Sequence, residues 1–500
     1  MLYHWEVPWL SANMTLFDFL YHFLGIVLFT SYLLLIIAIV FRVVMKRRAI
    51  GVSLAWLTLI FTIPIAGISL YLLFGEIRLG RKRVERAKSM YQPYTDWIRE
   101  LVSQFPQQPV QPGEQAVPLS RLVEGQLGMP MLGGNGCQLL TAPQEILDAI
   151  AQDIRQASVS CYLEFYIWQS GGWADEVAEA LMAAAGRGVD CRLLLDSVGS
   201  AAFFRGPWPK RMEAAGIKLV EVLPAGTWRI PLQRQDLRMH RKLVVIDDKL
   251  AYTGSMNMVD PRFFKRRSGL GPWIDIMVRL QGPIVPLMWS LFVRDWEMET
   301  GERLLDLQQH QPEFDEGQNR HIQLIPSGPF TTGDCIEQIL LLAIYQARHS
   351  LILTTPYFVP DDSLVAALRS AAERGVRVQL MLPARGDSIL ATHACDAFLQ
   401  ELLDSGVEVY RFQRGLLHTK SVMVDDAMML VGSVNLDRRS MWLNFEITLL
   451  MDDPRFCAEF KHLLQSYFAE AVRLDPLVWV KRPYHKRLRE NLLYLFSPLL

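Results

Sequence analysis

The sequence predicts an α/β protein made of two homologous halves packed about a pseudo-twofold axis, preceded by an N-terminal transmembrane helical hairpin. Three observations predict it. Two uncharged apolar runs, each over twenty residues long, stand near the N-terminus. Beyond them, blocks of sequence recur in the same order, and each alternates helix-like with strand-like segments, the pattern of a sheet covered by helices. Each series of blocks also ends in the same histidine-lysine pattern, at His240 and again at His418. That offset of 178 residues is a domain-sized unit rather than a solenoid period.

The apolar runs, at about 19–41 and 51–74, come first. At ~1.5 Å per residue each is long enough for a bilayer core of ~30 Å. A cleaved signal peptide fits poorly, because there is no basic start and no small-residue cleavage site follows. Pro64 within the second run is tolerable where neighbouring helices satisfy the freed carbonyl. Arg42, Lys46, Arg47 and Arg48 lie between the runs, while Arg78, Arg81, Lys82, Arg83 and Arg86 follow the second. Basic clusters mark the cytoplasmic side, and both clusters cannot lie there if both runs cross. A re-entrant hairpin is the alternative, and the sequence leaves the two open.

Residues 1–80 are therefore expected as a membrane hairpin, and 81–130 as a basic, Pro/Gln-rich linker. The first half is expected over 131–315 and the second over 316–480. "ALMAAAGRGVDCRLLLD" (180–196) aligns with "ALRSAAERGVRVQLMLP" (367–383) as a helix, an Arg-Gly stop and a strand. "LEFYIW" aligns with "TPYFVP", which matches Tyr166 to Tyr357. The tail, 481–500, interleaves Lys486, Arg487 and Arg489 with Leu488, Leu492, Leu493 and Phe496. It reads either as an interfacial amphipathic segment or as a helix packed on the domain.

Composition narrows the function classes. Lys plus Arg total 51 against 52 Asp plus Glu, a net charge of −1, so there is no general attraction to nucleic acid. The six cysteines are scattered without C-x-x-C spacing and read as buried thiols, neither disulfides nor metal ligands.

The chemistry is concentrated in the repeated motif. "HRKLVVIDD" and "HTKSVMVDD" share the order His240, Lys242, Asp247 and His418, Lys420, Asp425. After each aspartate and six further residues come "GSMN" (Ser255, Asn257) and "GSVN" (Ser433, Asn435). In a strand, residues i and i+2 share a face, so each histidine is delivered together with its lysine. One motif supplies half a reaction centre and the other supplies the remainder. Two imidazoles, two ammonium groups and amide donors suit a phosphodiester: one imidazole attacks phosphorus and the other protonates the leaving alkoxide. The lysines hold the phosphoryl charge, so the chemistry calls for no metal and no cofactor.

These motifs, with "EFYIW", "TTPYFVP", "GLLHTKSVMVD" and "GSVNLDRRSMWLNFEI", resemble the phospholipase D superfamily over nearly the whole chain, most closely its bacterial cardiolipin synthases of the two-span type. The resemblance implies two phospholipase D-like α/β sandwich halves. It implies transfer of a phosphatidyl group from one phosphatidylglycerol to another, giving cardiolipin and glycerol through a covalent phosphatidyl-histidine, in a multi-pass protein of the bacterial inner membrane. The partners it implies are those lipids and the bilayer, with no nucleic acid; oligomeric state is left open. The nucleophile role falls on His240 and the acid role on His418, with Lys242, Lys420, Asp247 and Asp425 completing the catalytic set. Ser255, Asn257, Ser433, Asn435, Tyr166, Tyr357 and Arg438 are expected at the substrate. Glu446 in "NFE" resembles the carboxylate that orients a catalytic histidine, and Asp275 in "WIDI" is its counterpart. The match is imperfect, since Asp275 lies 18 residues after Asn257 and Glu446 only 11 after Asn435. Arg262, Lys265, Arg266, Arg267 and Arg439 are further candidates for the second lipid's phosphate or for anionic headgroups, against a solvated or ion-paired role. A phospholipase D-type hydrolase or a phosphatidylserine synthase-like headgroup exchange uses the same residues and stands as the rival; a catalytically silent scaffold does not need two complete motifs.

Overall fold

The computed structural model describes residues 16–46, 50–76, 78–105, 112–224, 234, 236–265, 269–305, 320–329 and 334–495. The chain divides into two units: residues 1–78 with 226–235, and residues 79–225 with 236–500.

Among the described residues of the first unit, one helix, Leu16–Met45, holds a stretch long and apolar enough to cross a membrane, Phe19–Met45. The second apolar run departs from the continuous span expected over 51–74. It forms two helices, Ile50–Thr62 and Pro64–Phe74, with the break at Ile63 and proline in the first turn of the second. Proline has no N–H to continue the ladder and its ring crowds the preceding turn. The chain folds back there. Trp56 and Tyr71 would lie about 22 Å apart on a straight helix, yet their ring centroids are 5.4 Å apart. Gly67 permits the close approach, because a Cβ there would sit 2.6 Å from the carbonyl oxygen of Leu59. Ile39, Val43, Ile60, Ile68 and Tyr71 form the buried contact of this unit. At 13 and 11 residues, neither short helix reaches across a ~30 Å core.

The second unit is built on one mixed sheet. Its strands, with four short accessory ones, are β1 (Met131–Leu140), β2 (Ser160–Phe165), β3 (Asp190–Asp196), β4 (Lys218–Val222), β5 (Lys242–Ile246), β6 (Leu250–Gly254), β7 (Trp273–Ile274), β8 (Met277–Gln281), β9 (Arg320–Ser327), β10 (Ser350–Thr354), β11 (Phe358–Val359), β12 (Arg377–Pro383), β13 (Glu408–Phe412), β14 (Leu416–Leu417), β15 (Ser421–Val424), β16 (Met428–Gly432), β17 (Leu436–Asp437), β18 (Glu446–Asp452) and β19 (Ala471–Arg473). Fifteen of them run in the order β19-β13-β12-β10-β15-β16-β18-β9-β1-β8-β6-β5-β2-β3-β4. Read outward from the β9–β1 seam, where Met131 pairs with Gln323, the two directions match strand for strand until β19. β5 and β15, which follow the two His-x-Lys segments, are fully buried interior strands. They run antiparallel to β2 and β10 respectively. Burial on both faces explains why each reads as a nearly continuous apolar run.

The stretch expected as a linker, 81–130, is largely structured. Helices Arg81–Ser103 and Ala116–Leu127 bury Tyr94, Ile98, Leu101, Leu119 and Val123 in the main core. Of its Pro/Gln-rich part, residues 106–111 lie outside the described residues. The six cysteines are free, and all but Cys137 are buried.

Candidate active site

The two histidine segments are each stitched to the opposite half. The His240 N–H donates to the Phe445 carbonyl and the Phe445 N–H to the Arg238 carbonyl, both at 2.9 Å. The His418 N–H donates to the Ile274 carbonyl at 2.9 Å, where β14 runs parallel to β7. These seams carry the orienting carboxylates across. His240 Nδ1 lies 2.9 Å from both oxygens of Glu446, and His418 Nδ1 lies 2.6 Å from Asp275 Oδ1. Each histidine is therefore held by an acid of the other half.

The serines of the Gly-Ser-x-Asn turns serve this arrangement. Ser433 Oγ donates to Glu446 at 2.5 Å and Ser255 Oγ to Asp275 at 2.6 Å. Both serines are fully buried; the expectation that they meet substrate is replaced by one in which they fix the carboxylates. The Asn444 amide adds a 3.2 Å contact to Glu446.

A carboxylate at Nδ1 keeps that nitrogen protonated and leaves the Nε2 lone pair free. Burial pushes both imidazoles down to about 4, beyond what the facing carboxylates restore. Near neutral pH both are thus uncharged in the empty site. Burial would raise Glu446 and Asp275, but their histidines hold both below the usual carboxylate range. Lys242 and Lys420 are also buried; each Nζ donates to the carbonyl of its own histidine, at 2.6 and 2.5 Å. Desolvation lowers them to about 8 and about 7, with Glu446 and Asp275 opposing the fall.

His240 and His418 line one cavity of about 280 Å³. Tyr166, Tyr357, Asn257 and Asn435, all expected at the substrate, line it too. The Tyr166 ring sits 5.0 Å from that of His240, and the Tyr357 hydroxyl donates to Asp387 at 2.5 Å. Asn435 Oδ1 is buried without a hydrogen-bond partner.

Three expected residues stand elsewhere. Asp247, at the far end of β5 and about 16 Å from Lys242 by strand rise, accepts from the backbone N–H groups of Ser158, Val159 and Ser160 at 2.7–2.8 Å. Asp425 does the same for Arg348, His349 and Ser350. Both adopt positive φ, +51°, a conformation aspartate tolerates better than most residues. They anchor the chain reversal and the neighbouring strand and do not reach the cavity. Arg438 also misses it, turning to the Pro360 carbonyl at 3.5 Å, while its neighbour Arg439 lines it. Arg262 is engaged by Asp260 and lies over the Trp173 ring at 3.4 Å. Lys265 lines the cavity, paired with Asp387 at 2.8 Å. Arg266 and Arg267 lie outside the described residues.

Sequence reasoning missed Arg238, Trp273, Asp387, Asp437 and Asn444, all at the cavity. Arg238 carries a readable signal, since 238, 240 and 242 keep the two-residue period of one strand face; so does Asn444, two before Glu446. Asp387 sits in a loop with no such pattern. Burial raises Asp437 to about 6.

A family described as "Cardiolipin synthase, PLD-like domain" matches residues 150–268 and 340–470, and one described as "Phospholipase_D-nuclease N-terminal" matches 34–76. A protein named cardiolipin synthase A from Edwardsiella ictaluri is 48% identical over 477 residues, 94% of this chain and 97% of that one. One of the same name from Escherichia coli is 48% identical over 475 residues, with the same coverage. Among solved structures, a phosphatidylserine synthase from Haemophilus influenzae shares the fold, with a TM-score of 0.57 at 16% identity, over 77% of this chain and 100% of that one.

Proposed function

The chain belongs to the phospholipase D-like cardiolipin synthase family, and from that premise we propose the reaction it runs: a phosphatidyl group passes from one phosphatidylglycerol to the glycerol hydroxyl of another, giving cardiolipin and glycerol. The observation that carries the mechanism is the pair of imidazoles facing one cavity, each oriented by a carboxylate of the other half and each followed two residues on by a buried lysine.

In the first step His240 Nε2 attacks phosphorus, the bond from phosphorus to the glycerol oxygen breaks, and His418 gives its Nε2 proton to the departing alkoxide. In the second, a hydroxyl of the incoming phosphatidylglycerol passes its proton to His418, its oxygen attacks phosphorus, and the bond to His240 breaks. The proton that His418 must carry is one the empty site disfavours. An anionic phosphodiester beside it supplies the charge that stabilises an imidazolium, so substrate binding itself arms the acid. Lys242 and Lys420 face the charge gathered in the pentacoordinate state, and Asn257 and Asn435 orient the lipid headgroup. The order of the two histidines follows the family resemblance.

The palindromic strand order supports two phospholipase D-like halves, 131–315 and 316–480, related by a pseudo-twofold axis. For residues 1–80 we place the helix Leu16–Met45 across the bacterial inner membrane and the folded-back pair 50–74 as a re-entrant hairpin, one crossing where two were expected. This returns Arg78 to the end of the unit that holds Arg42; Glu76 binds Arg42 at 2.5 Å and lies 3.9 Å from Arg78. Both basic clusters then lie on one side, cytoplasmic by their charge. Single cysteines at Lys46 and Lys82 are expected to resist an impermeant thiol reagent in intact cells together; labelling of one alone restores two crossings.

The reaction is tested with purified protein and phosphatidylglycerol labelled in its headgroup and acyl chains. Cardiolipin and free glycerol in equal amounts are expected, and phosphatidic acid as the main product would sink the synthase reading.

A further inference from the structure

The second unit exposes its apolar side chains unevenly. Among its described residues, five large hydrophobics are at least 70% exposed: Tyr91, Ile389, Leu477, Tyr484 and Leu495. All but Tyr91 belong to one connected structure, formed by the first turn of the helix Ile389–Asp404 and by the C-terminal helices Pro476–Trp479 and Tyr484–Tyr494 with the residue after them.

The last helix is built to keep an apolar face outward. Tyr484, Leu488, Leu492 and Leu495, spaced by four, four and three, fall on one side, and all four are exposed. Its other side is anchored. Glu490 is buried and holds Arg482 at 3.0 Å, whose guanidinium lies 3.8 Å over the Trp479 ring. Tyr494 packs its ring 5.1 Å from Phe398 of the helix Ile389–Asp404. Arg487 and Arg489 flank the stripe on opposite edges and are exposed. Residues 481–495 hold five Lys or Arg against the single acid Glu490, in a chain whose net charge is −1.

The helix beneath links this stripe to the cavity. Ser388 and Ala391 line the cavity, and Ile389 and Leu390 between them are 76% and 47% exposed. On the first-half rim, Phe263 is 49% exposed two residues from the cavity-lining Lys265.

From this arrangement we infer that the stripe Tyr484–Leu495, with Ile389, Leu390 and Phe263 at the cavity mouth, is a docking face for an anionic phospholipid bilayer, which sets the cavity against the headgroups. The argument rests on the proposed lipid reaction. Leucines in the acyl boundary with arginines beside them at headgroup depth match a surface of phosphatidylglycerol in both its apolar and its charged layer. A soluble substrate gives no reason to ring the mouth of a charged cavity with isoleucine, leucine and phenylalanine. The face lets a lipid slide its headgroup inward while its chains stay in the membrane.

The test uses the full chain reconstituted in phosphatidylglycerol vesicles, compared with monomeric dihexanoyl phosphatidylglycerol in detergent. The variant Leu488→Glu/Leu492→Glu is expected to lose at least about ten-fold in rate on vesicles, since two exposed leucines that would enter the bilayer are replaced by charges, and to keep the wild-type rate on the monomeric lipid. Independently, a bimane probe on Leu488→Cys is expected to be quenched by brominated acyl chains in the vesicles. Unquenched bimane, an unchanged vesicle rate, or equal losses on both substrates overturns the inference, as does cross-linking of Leu488→Cys between two chains, which would assign the face to a second copy. Wild-type protein that makes no cardiolipin from either lipid overturns instead the reaction on which the inference rests.

Discussion

The two halves carry the same His-x-Lys frame in unlike surroundings. At His240 the orienting acid is a glutamate that offers both oxygens at 2.9 Å and is itself bound by Ser433 and Asn444. At His418 it is an aspartate that offers one oxygen at 2.6 Å, shared with Ser255. The residue between histidine and lysine differs more. Arg241 is fully buried, donates to the Glu446 carbonyl at 3.0 Å and pairs with Asp295. Thr419 makes only weaker contacts, 3.3 Å to the Ile274 carbonyl and 3.2 Å to the Tyr467 hydroxyl. Beside the rings, Tyr166 stands by His240, whereas Trp273 lies 4.4 Å from His418. The two motifs are equal in sequence and the residues around them are not. Under the proposed mechanism the imidazole held by both oxygens of Glu446 attacks phosphorus, and the one beside Trp273 carries the proton.

The sharpest way to break this comparison is to remove each ring. His240→Ala is expected to abolish turnover and leave no phosphatidyl-enzyme, because the covalent step has lost its nucleophile. His418→Ala loses roughly 10²–10⁴-fold, as for a missing acid-base group, and still accumulates labelled protein from a donor with a good leaving group. Alkaline quenching, in which phosphohistidine survives, reads the label; label on His240→Ala and none on His418→Ala exchanges the roles. Next in size are Lys242→Ala and Lys420→Ala, each expected to lower kcat by about 10²–10³ at unchanged thermal stability, since a preorganised charge at the phosphoryl oxygens is gone. A loss of stability with kcat of the folded fraction intact would make these lysines structural.

Exchanging Glu446→Gln and Asp275→Asn removes charge and keeps shape, with losses of roughly 10–100-fold expected. The cross-half pairing gives a signature: Glu446→Gln impairs attack by His240 and so formation of the intermediate, whereas Asp275→Asn impairs both departure of the alkoxide and attack of the acceptor, the two steps that use His418. If Glu446→Gln instead slows resolution alone, the pairing across halves is refuted. pH sharpens the same contrast more gently. Lys420 and Lys242, lowered to about 7 and about 8, lose their charge as pH rises, so kcat/KM is expected to fall on the alkaline side from about pH 7. Both histidines become protonated below about 4, so the nucleophile is lost only in strong acid. A Lys420→Arg enzyme should keep whatever activity it has to higher pH, and an alkaline limb that does not move would remove Lys420 as its source. The smallest effect on rate is expected at the strand ends: Asp247→Asn and Asp425→Asn each leave backbone N–H groups under-bonded, costing about 1–3 kcal/mol of stability, with kcat of the folded protein near wild type. A large drop in kcat at full stability would return these aspartates to the chemistry.

Much of the molecule was legible before any coordinates. The two motifs, the repeated blocks and the first long apolar helix all follow from local spacing: strands alternate faces every two residues, and an uncharged apolar run of that length is long enough to cross a bilayer as a helix. The same local logic misplaced Ser255, Ser433, Asp247, Asp425 and Arg438, because a motif shows which residues travel together and not where each side chain turns. It read 51–74 as a span with Pro64 tolerated and a re-entrant arrangement as the alternative, since hydropathy does not register where a helix folds back.

By itself the sequence determined that two histidines and two lysines would come as matched pairs beside buried strands, because that needs only a duplicated frame; the strand expected to carry both pairs begins at Lys242 in one half and only after Lys420, at Ser421, in the other. Only the tertiary structure decided which acid holds which histidine. Glu446 is 206 residues from His240 and Asp275 is 143 from His418, and no periodicity reaches across such separations. The choice is made where Phe445 bonds to the chain at His240 and Ile274 to the chain at His418, by packing of the two halves that neither half encodes alone.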